Sequence, residues 1–144
     1  MPSSLAHSGP TRLSGSPLVA VVDDDRAVVS SLDFALGVEG YQVVAYYDAQ
    51  SYLDGVTDYA EWPSANCLVV DFRLPGMNGI QLLEELRRRD RLPPHMLVAS
   101  NPSRACRNWA IINDVPLVEK PFLDEALTEQ IRAALVLSAP VLRP

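Results

Sequence analysis

The chain has 144 residues, 48% hydrophobic and 21% charged, a composition that supports a packed core of one domain. Its formal net charge of −6 argues against a general nucleic-acid-binding surface and against an anionic membrane surface. Cys67 and Cys106 have no CxxC spacing and no nearby histidine, which argues against zinc and suits core thiols in a reducing, cytoplasmic compartment. No apolar run approaches the ~20 residues that a membrane span needs.

Residues 1–16 are rich in Ser, Gly and Pro and read as a disordered leader that lacks the apolar stretch of a signal peptide. Residues 17–138 carry the folded pattern, and 139–144 read as a short tail. Leu18–Val22 is an apolar, strand-like run that closes on three carboxylates, Asp23, Asp24 and Asp25. Val28, Val29, Leu32, Ala35 and Leu36 then recur at helical spacing, and Gly40 is a natural helix stop. Gln42–Tyr46 reads as a more polar strand, expected at a sheet edge. Asp48 is placed to cap a short helix with Tyr52, Leu53 and Val56 inside, and a looser loop follows through Trp62, Pro63 and Ser64.

Cys67–Val70 is apolar at every position, as a strand covered on both faces requires, and it ends on Asp71. The turn-rich stretch Arg73–Gly79 leads into a helix with Ile80, Leu83 and Leu86 inside and Glu84, Glu85, Arg87 and Arg88 outside. Pro93-Pro94 breaks that helix before a fourth strand, Met96–Ala99, which ends on Ser100. Ala105, Trp109 and Ile112 mark one face of a short fourth helix. Pro116–Glu119 reads as the fifth strand, ending on Lys120. Asp124 is placed to cap a fifth helix with Leu127, Ile131, Ala134 and Leu135 inside.

Five βα units predict an α/β fold, a three-layer sandwich with a parallel sheet and helices on both faces. The expected arrangement is flavodoxin-like, with strand order 2-1-3-4-5 and a switch point between the first and third strands. Ligands in such folds sit outside the carboxyl ends of the strands. Asp23, Asp24, Asp71, Ser100 and Lys120 all fall on that edge.

Clustered carboxylates repel one another, and a divalent cation offsets the repulsion. An all-oxygen set with few carboxylates suits Mg²⁺. Asp24 and Asp71 are the candidate direct ligands, Asp23 acts through a water, and the Arg73 backbone carbonyl can add an oxygen. A carboxylate such as Asp71 can also attack an electrophilic phosphorus. Lys120, Mg²⁺ and the Ser100 hydroxyl would then neutralise or bind the equatorial oxygens. A lone Asp after a strand is usually a helix cap, which suffices for Asp25. A lone Lys before Pro is usually a solvated charge, and a lone Ser a loop residue. Co-location at successive strand ends is what favours chemistry.

From Leu18 to about Leu137 the chain resembles a response-regulator receiver domain of two-component signalling. The matching pieces are Val21-Val22-Asp23-Asp24-Asp25, Val70-Asp71-Phe72-Arg73-Leu74-Pro75-Gly76-Met77-Asn78-Gly79, and Glu119-Lys120-Pro121-Phe122. The resemblance implies that Asp71 accepts phosphate from a histidine kinase or a histidine phosphotransfer protein. It implies Mg²⁺ held by Asp23, Asp24 and Asp71, Lys120 on the phosphoryl group, and Ser100 as the hydroxyl that swings toward it. A downstream output protein belongs to the same expectation, and so does a cis Lys120–Pro121 bond, whereas the sequence leaves open whether phosphorylation makes a homodimer. The chain departs from the family pattern in three places. Leu117 stands where an aromatic is usual, Asn101-Pro102 follows the hydroxyl, and Asn113-Asp114 replaces a usual Gly-Ala. The stretch from Ser100 to Lys120 is about two residues short.

The expected function is therefore a phosphoacceptor switch, with phosphoryl transfer directed only at itself, and not an enzyme acting on other substrates. A degenerate receiver that binds partners without phosphorylation is the alternative. An aspartyl phosphatase would carry a second acid two residues after its nucleophile, where this chain has Arg73. Flavin binding lacks a Ser/Thr/Gly-rich phosphate loop after the first strand.

Overall fold

The structure is a computed structural model that describes residues 16–58, 65–122 and 125–138. Strands and helices alternate along the chain: β1 (Leu18–Val22), α1 (Arg26–Val38), β2 (Gln42–Tyr46), α2 (Ala49–Asp58), β3 (Cys67–Asp71), α3 (Gly79–Arg88), β4 (His95–Ser100), α4 (Arg104–Ile112), β5 (Leu117–Lys120) and α5 (Ala126–Ser138). All strand pairings are parallel, and the sheet order is β2-β1-β3-β4-β5. The flavodoxin-like order expected from the alternation is the one observed.

The apolar strands have residues to bury on both faces, and successive side chains serve opposite layers. Ala20, Val22, Leu68 and Val70 join a core under α2, α3 and α4. Val19, Val21, Cys67 and Val69 join a second core under α1 and α5. β2 lies at the edge as expected, although every residue after Gln42 is buried. The helix stripes match at Val29, Leu32 and Leu36 in α1 and at Leu127, Ile131, Ala134 and Leu135 in α5. In α3 the stripe is wider than the spacing suggests, because Leu82 is buried beside Leu83 and Leu86.

The expected face of α4 needs correction. Cys106 and Ala110 are buried and Trp109 partly covered, whereas Ala105 is exposed and Ile112 is 81% exposed. Two overlapping stripes fit helical spacing equally well in so short a segment. The small pair Cys106 and Ala110 faces the core, and the bulky Trp109 is left at its margin. Two strand limits also shift. β5 begins at Leu117, because Pro116 has no N–H to donate and contributes only its carbonyl, which accepts from Leu97 N at 2.9 Å. β4 extends back to His95 and on to Ser100. The expected cap Asp124 and the loop through Trp62, Pro63 and Ser64 lie outside the described residues.

Helix ends place the loops. Asp48 Oδ1 accepts from Ser51 N at 2.7 Å, the cap expected for α2. α1 and α3 finish with the same backbone motif. Tyr41 N reaches Leu36 O at 3.0 Å after Gly40, and Arg91 N reaches Leu86 O at 2.9 Å after Asp90. α4 repeats it with Asp114, from Val115 N to Ala110 O at 2.8 Å. The residue in the left-handed region is glycine in the first case and aspartate, at φ 56° and 55°, in the other two.

Candidate functional site

Each acid after β1 has a separate placement. Asp25 is the N-cap of α1, and its Oδ1 accepts from Ala27 N at 3.0 Å and Val28 N at 3.3 Å. Asp23 is buried, and its Oδ1 accepts from Asp25 N at 2.9 Å, which folds the loop back over the strand end. Asp24, between them, is exposed. Asp71 is the last residue of β3 and is also buried. Carboxylate oxygens of Asp23, Asp24 and Asp71 lie within 4.8 Å of one another.

Lys120 reaches this cluster from β5, across β4 and β3. Its Nζ stands 2.8 Å from Asp23 Oδ2 and 3.4 Å from Asp71 Oδ2. The peptide bond after it, Lys120–Pro121, is cis. Ser100 pairs with Lys120 in the β4–β5 register, so it ends the intervening strand, and it is exposed. Asn101 follows at φ 46°. Arg73 is exposed, and its backbone N–H donates to the Asp71 carboxylate. The fold thus gathers Asp23, Asp24, Asp71 and Lys120 and leaves Ser100 at the rim. Leu117, at the position usual for an aromatic, packs against the α2–α3–α4 core.

The charge balance follows from burial. Desolvation pushes the Asp71 carboxyl up to about 6, the Asp23 charge adds to the rise, and Lys120 and the Arg73 N–H pull against it. Burial works against the Lys120 ammonium, but Asp23 and Asp71 outweigh it and hold its pKa above the ordinary lysine value. Three carboxylates and one ammonium leave a local excess of negative charge. An all-oxygen cluster of that sign, buried on two sides and open at Asp24, has the donor chemistry for a hard divalent cation.

One positioning residue was not singled out in the sequence reading. Gly79, the first residue of α3, packs on the chain just past Asp71, and its N–H donates to Phe72 O at 2.9 Å. A Cβ there would press on the Asp71 carbonyl oxygen and stand 3.0 Å from Phe72 Cα. Asn78 and Gln81 form a reciprocal capping box that fixes the start of this helix, with both bonds at 2.9 Å. The Asn-x-x-Gln spacing before an apolar stripe is the signal that could have revealed the box. Nothing in the sequence shows the close approach that demands glycine.

The sequence and the fold have counterparts among known proteins. The family model of the response regulator receiver domain matches residues 19–132. This chain belongs to that family. The receiver is 32% identical over 123 residues to the transcriptional regulatory protein FixJ of Bradyrhizobium diazoefficiens, covering 85% of this chain and 58% of that protein. It is 32% identical over 117 residues to the transcriptional regulatory protein CpxR of Escherichia coli K12, covering 81% and 48%. The chain thus spans about half the length of these curated relatives. Among solved structures, FixJ-N superposes with a TM-score of 0.73 at 27% identity, covering 88% of this chain and 98% of the other. A CheY-like receiver domain from Methanospirillum hungatei gives 0.74 at 25% identity, covering 86% and 97%. The chain is therefore a response regulator receiver domain of two-component signalling.

Proposed function

We propose that this receiver is a phosphoacceptor switch, modified on Asp71 in the presence of Mg²⁺. The observation that carries the reading is the convergence of Asp23, Asp24 and Asp71 within 4.8 Å, with Lys120 Nζ between two of them. Asp23, Asp24, Asp71 and the Arg73 carbonyl would hold the cation, which supplies positive charge against the oxygens of the incoming phosphoryl group.

An Asp71 carboxylate oxygen attacks the phosphorus of a phosphohistidine on a histidine kinase or histidine phosphotransfer protein. The new O–P bond forms as the P–N bond breaks, and the imidazole leaves with the bonding pair and takes up a proton. Lys120 neutralises charge on the transferred group, and the Ser100 hydroxyl donates to one of its oxygens. Hydrolysis of the acyl phosphate returns the carboxylate. Phosphorylation changes the charge and hydrogen bonding at the sheet edge, and a downstream output protein, or a second copy of the chain, reads the change. Among the described residues no helix is long and apolar enough to cross a membrane. We assign the chain to the cytoplasm, without direct contact to nucleic acid.

A phosphorylation-independent interaction module is the second reading. It is favoured by Leu117, which is partly buried against the core and has no ring to rotate, and by the exposed position of Ser100. Incubation with Mg²⁺ and acetyl phosphate, followed by intact mass measurement beside Asp71→Asn, separates the two. A gain of one phosphoryl group in the parent alone is the expected result. No gain from acetyl phosphate or from a phosphohistidine protein, with Mg²⁺ binding shown separately, supports the second reading.

A further inference from the structure

α4 has a thin apolar hold. It buries Cys106 and Ala110 and covers Trp109 in part, whereas α3 buries Leu82, Leu83 and Leu86. On its outer side Ile111 and Ile112 are 76% and 81% exposed. Apolar stabilisation scales with the area removed from water, so a helix anchored by one alanine and one cysteine belongs with the elements that open most easily.

Polar links on two sides supplement this hold. Toward α3, Trp109 Nε1 donates to Glu84 Oε2 at 3.2 Å, and an Arg87 guanidinium nitrogen donates to Asn113 Oδ1 at 3.1 Å. Asn113 Nδ2 in turn donates to Trp109 O at 2.8 Å, which ties both links to the last turn of α4. Toward β5, an Arg107 guanidinium nitrogen stands 3.1 Å from Glu119 Oε1. Glu119 immediately precedes Lys120, and the loop into α4 begins after Ser100. The Arg107–Glu119 attachment therefore lies beside the carboxyl edge of the sheet, and the α3 attachment holds the opposite end of α4.

We propose that the Glu84–Trp109 and Arg107–Glu119 contacts form a two-sided clasp that sets the position of α4, and that α4 opens and closes as a unit under its control. The contacts lie at the surface, where each is weak alone and where water can replace it. Opening uncovers Cys106, Ala110 and part of one indole at the margin of the α2–α3–α4 core and leaves the α1–α5 core covered. Leu117, the β5 residue partly buried against the same core, has no polar atom on its side chain and cannot replace the clasp. The inference concerns the unmodified chain and does not depend on the chemistry proposed for Asp71.

Amide exchange read by mass spectrometry on the full chain tests it, with Glu84→Ala, Glu119→Ala and their combination. Both glutamates are exposed, so the variants retain the cores. The double variant is expected to exchange amides of residues 108–115 about tenfold faster than the parent, with β1 and β3 unchanged. In a Trp62→Phe background, Trp109 emission shifts to the red in the same variant. Glu125→Ala, which removes an exposed acid elsewhere, leaves the α4 amides at the parent rate. Parent rates over 108–115 in the double variant, or acceleration shared equally by β1 and β3, would overturn the proposal.

Discussion

At Asp71 the protein holds a carboxylate where burial disfavours its charge. Its pKa rises from 3.8 to about 6, first through desolvation and then through the Asp23 charge. The folded state therefore binds this proton more tightly than the unfolded chain does. Stability falls as pH rises from about 4, and the full cost is reached above about pH 6. Asp71→Asn removes the ionisation. In the metal-free protein at pH 7 it is expected to stabilise by about 1–3 kcal/mol, measured by urea unfolding. The gain should shrink toward zero at pH 4, and an equal gain at both pH values would show that the charge is not its origin. The carboxylate that is proposed to react is thus also one that weakens the fold.

Helices and their ends hold the strand-end groups in place. α3 starts so close to the Asp71 carbonyl that no side chain fits at its first residue. Gly79→Ala must move the backbone on one side of the contact, because neither partner is a flexible side-chain tip. We expect a loss of about 1–3 kcal/mol in urea unfolding, together with weaker Mg²⁺ binding, since the displaced strand end carries Asp71. Unchanged stability and affinity would mean that α3 can shift without cost. At the other end of the same helix, Asp90 occupies the left-handed region that glycine adopts freely. Asp90→Gly should stabilise by about 0.5–1 kcal/mol, read as a higher urea midpoint at unchanged slope.

Across the whole molecule, the sheet order turns residues distant in the chain into one charged site. β1 and β3 are neighbours although a strand and two helices separate them in sequence, so Asp23 and Asp71 meet. The repulsion is offset in part by Lys120, and the cluster would bind a divalent cation in the folded state alone. Mg²⁺ at a hundred times its Kd should then stabilise by about 2.7 kcal/mol, or about 10 °C in Tm. The gain should fade below about pH 6, where Asp71 takes up its proton. Scanning calorimetry with Mg²⁺ or EDTA at pH 7 and pH 5 checks this, and a pH-independent shift would place the cation elsewhere.

Periodicity and strand-end chemistry made most of this molecule legible in its sequence. Apolar runs of four or five residues and stripes at helical spacing depend on local burial, and local burial follows from side-chain type. The alternation of strand and helix then restricts connectivity, and the acids of β1 and β3 can be placed on one edge before any coordinate is known. Other features depended on which surfaces meet in space. The buried face of α4 was misread, because two stripes in a nine-residue helix differ only in what packs against them. The need for glycine at position 79 comes from the backbone of a neighbouring loop, and no pattern within α3 encodes it. The division of labour among Asp23, Asp24 and Asp25 arises where the chain turns from β1 into α1, burying one carboxylate, exposing the next and spending the third on the helix cap. Sequence alone determined the periodic elements and the residue types at the strand ends, because both are local. Close approach, the pairing of Lys120 with Asp23, and the burial that shifts Asp71 were decided by tertiary structure, because each requires groups far apart in the chain to share a few ångströms of space.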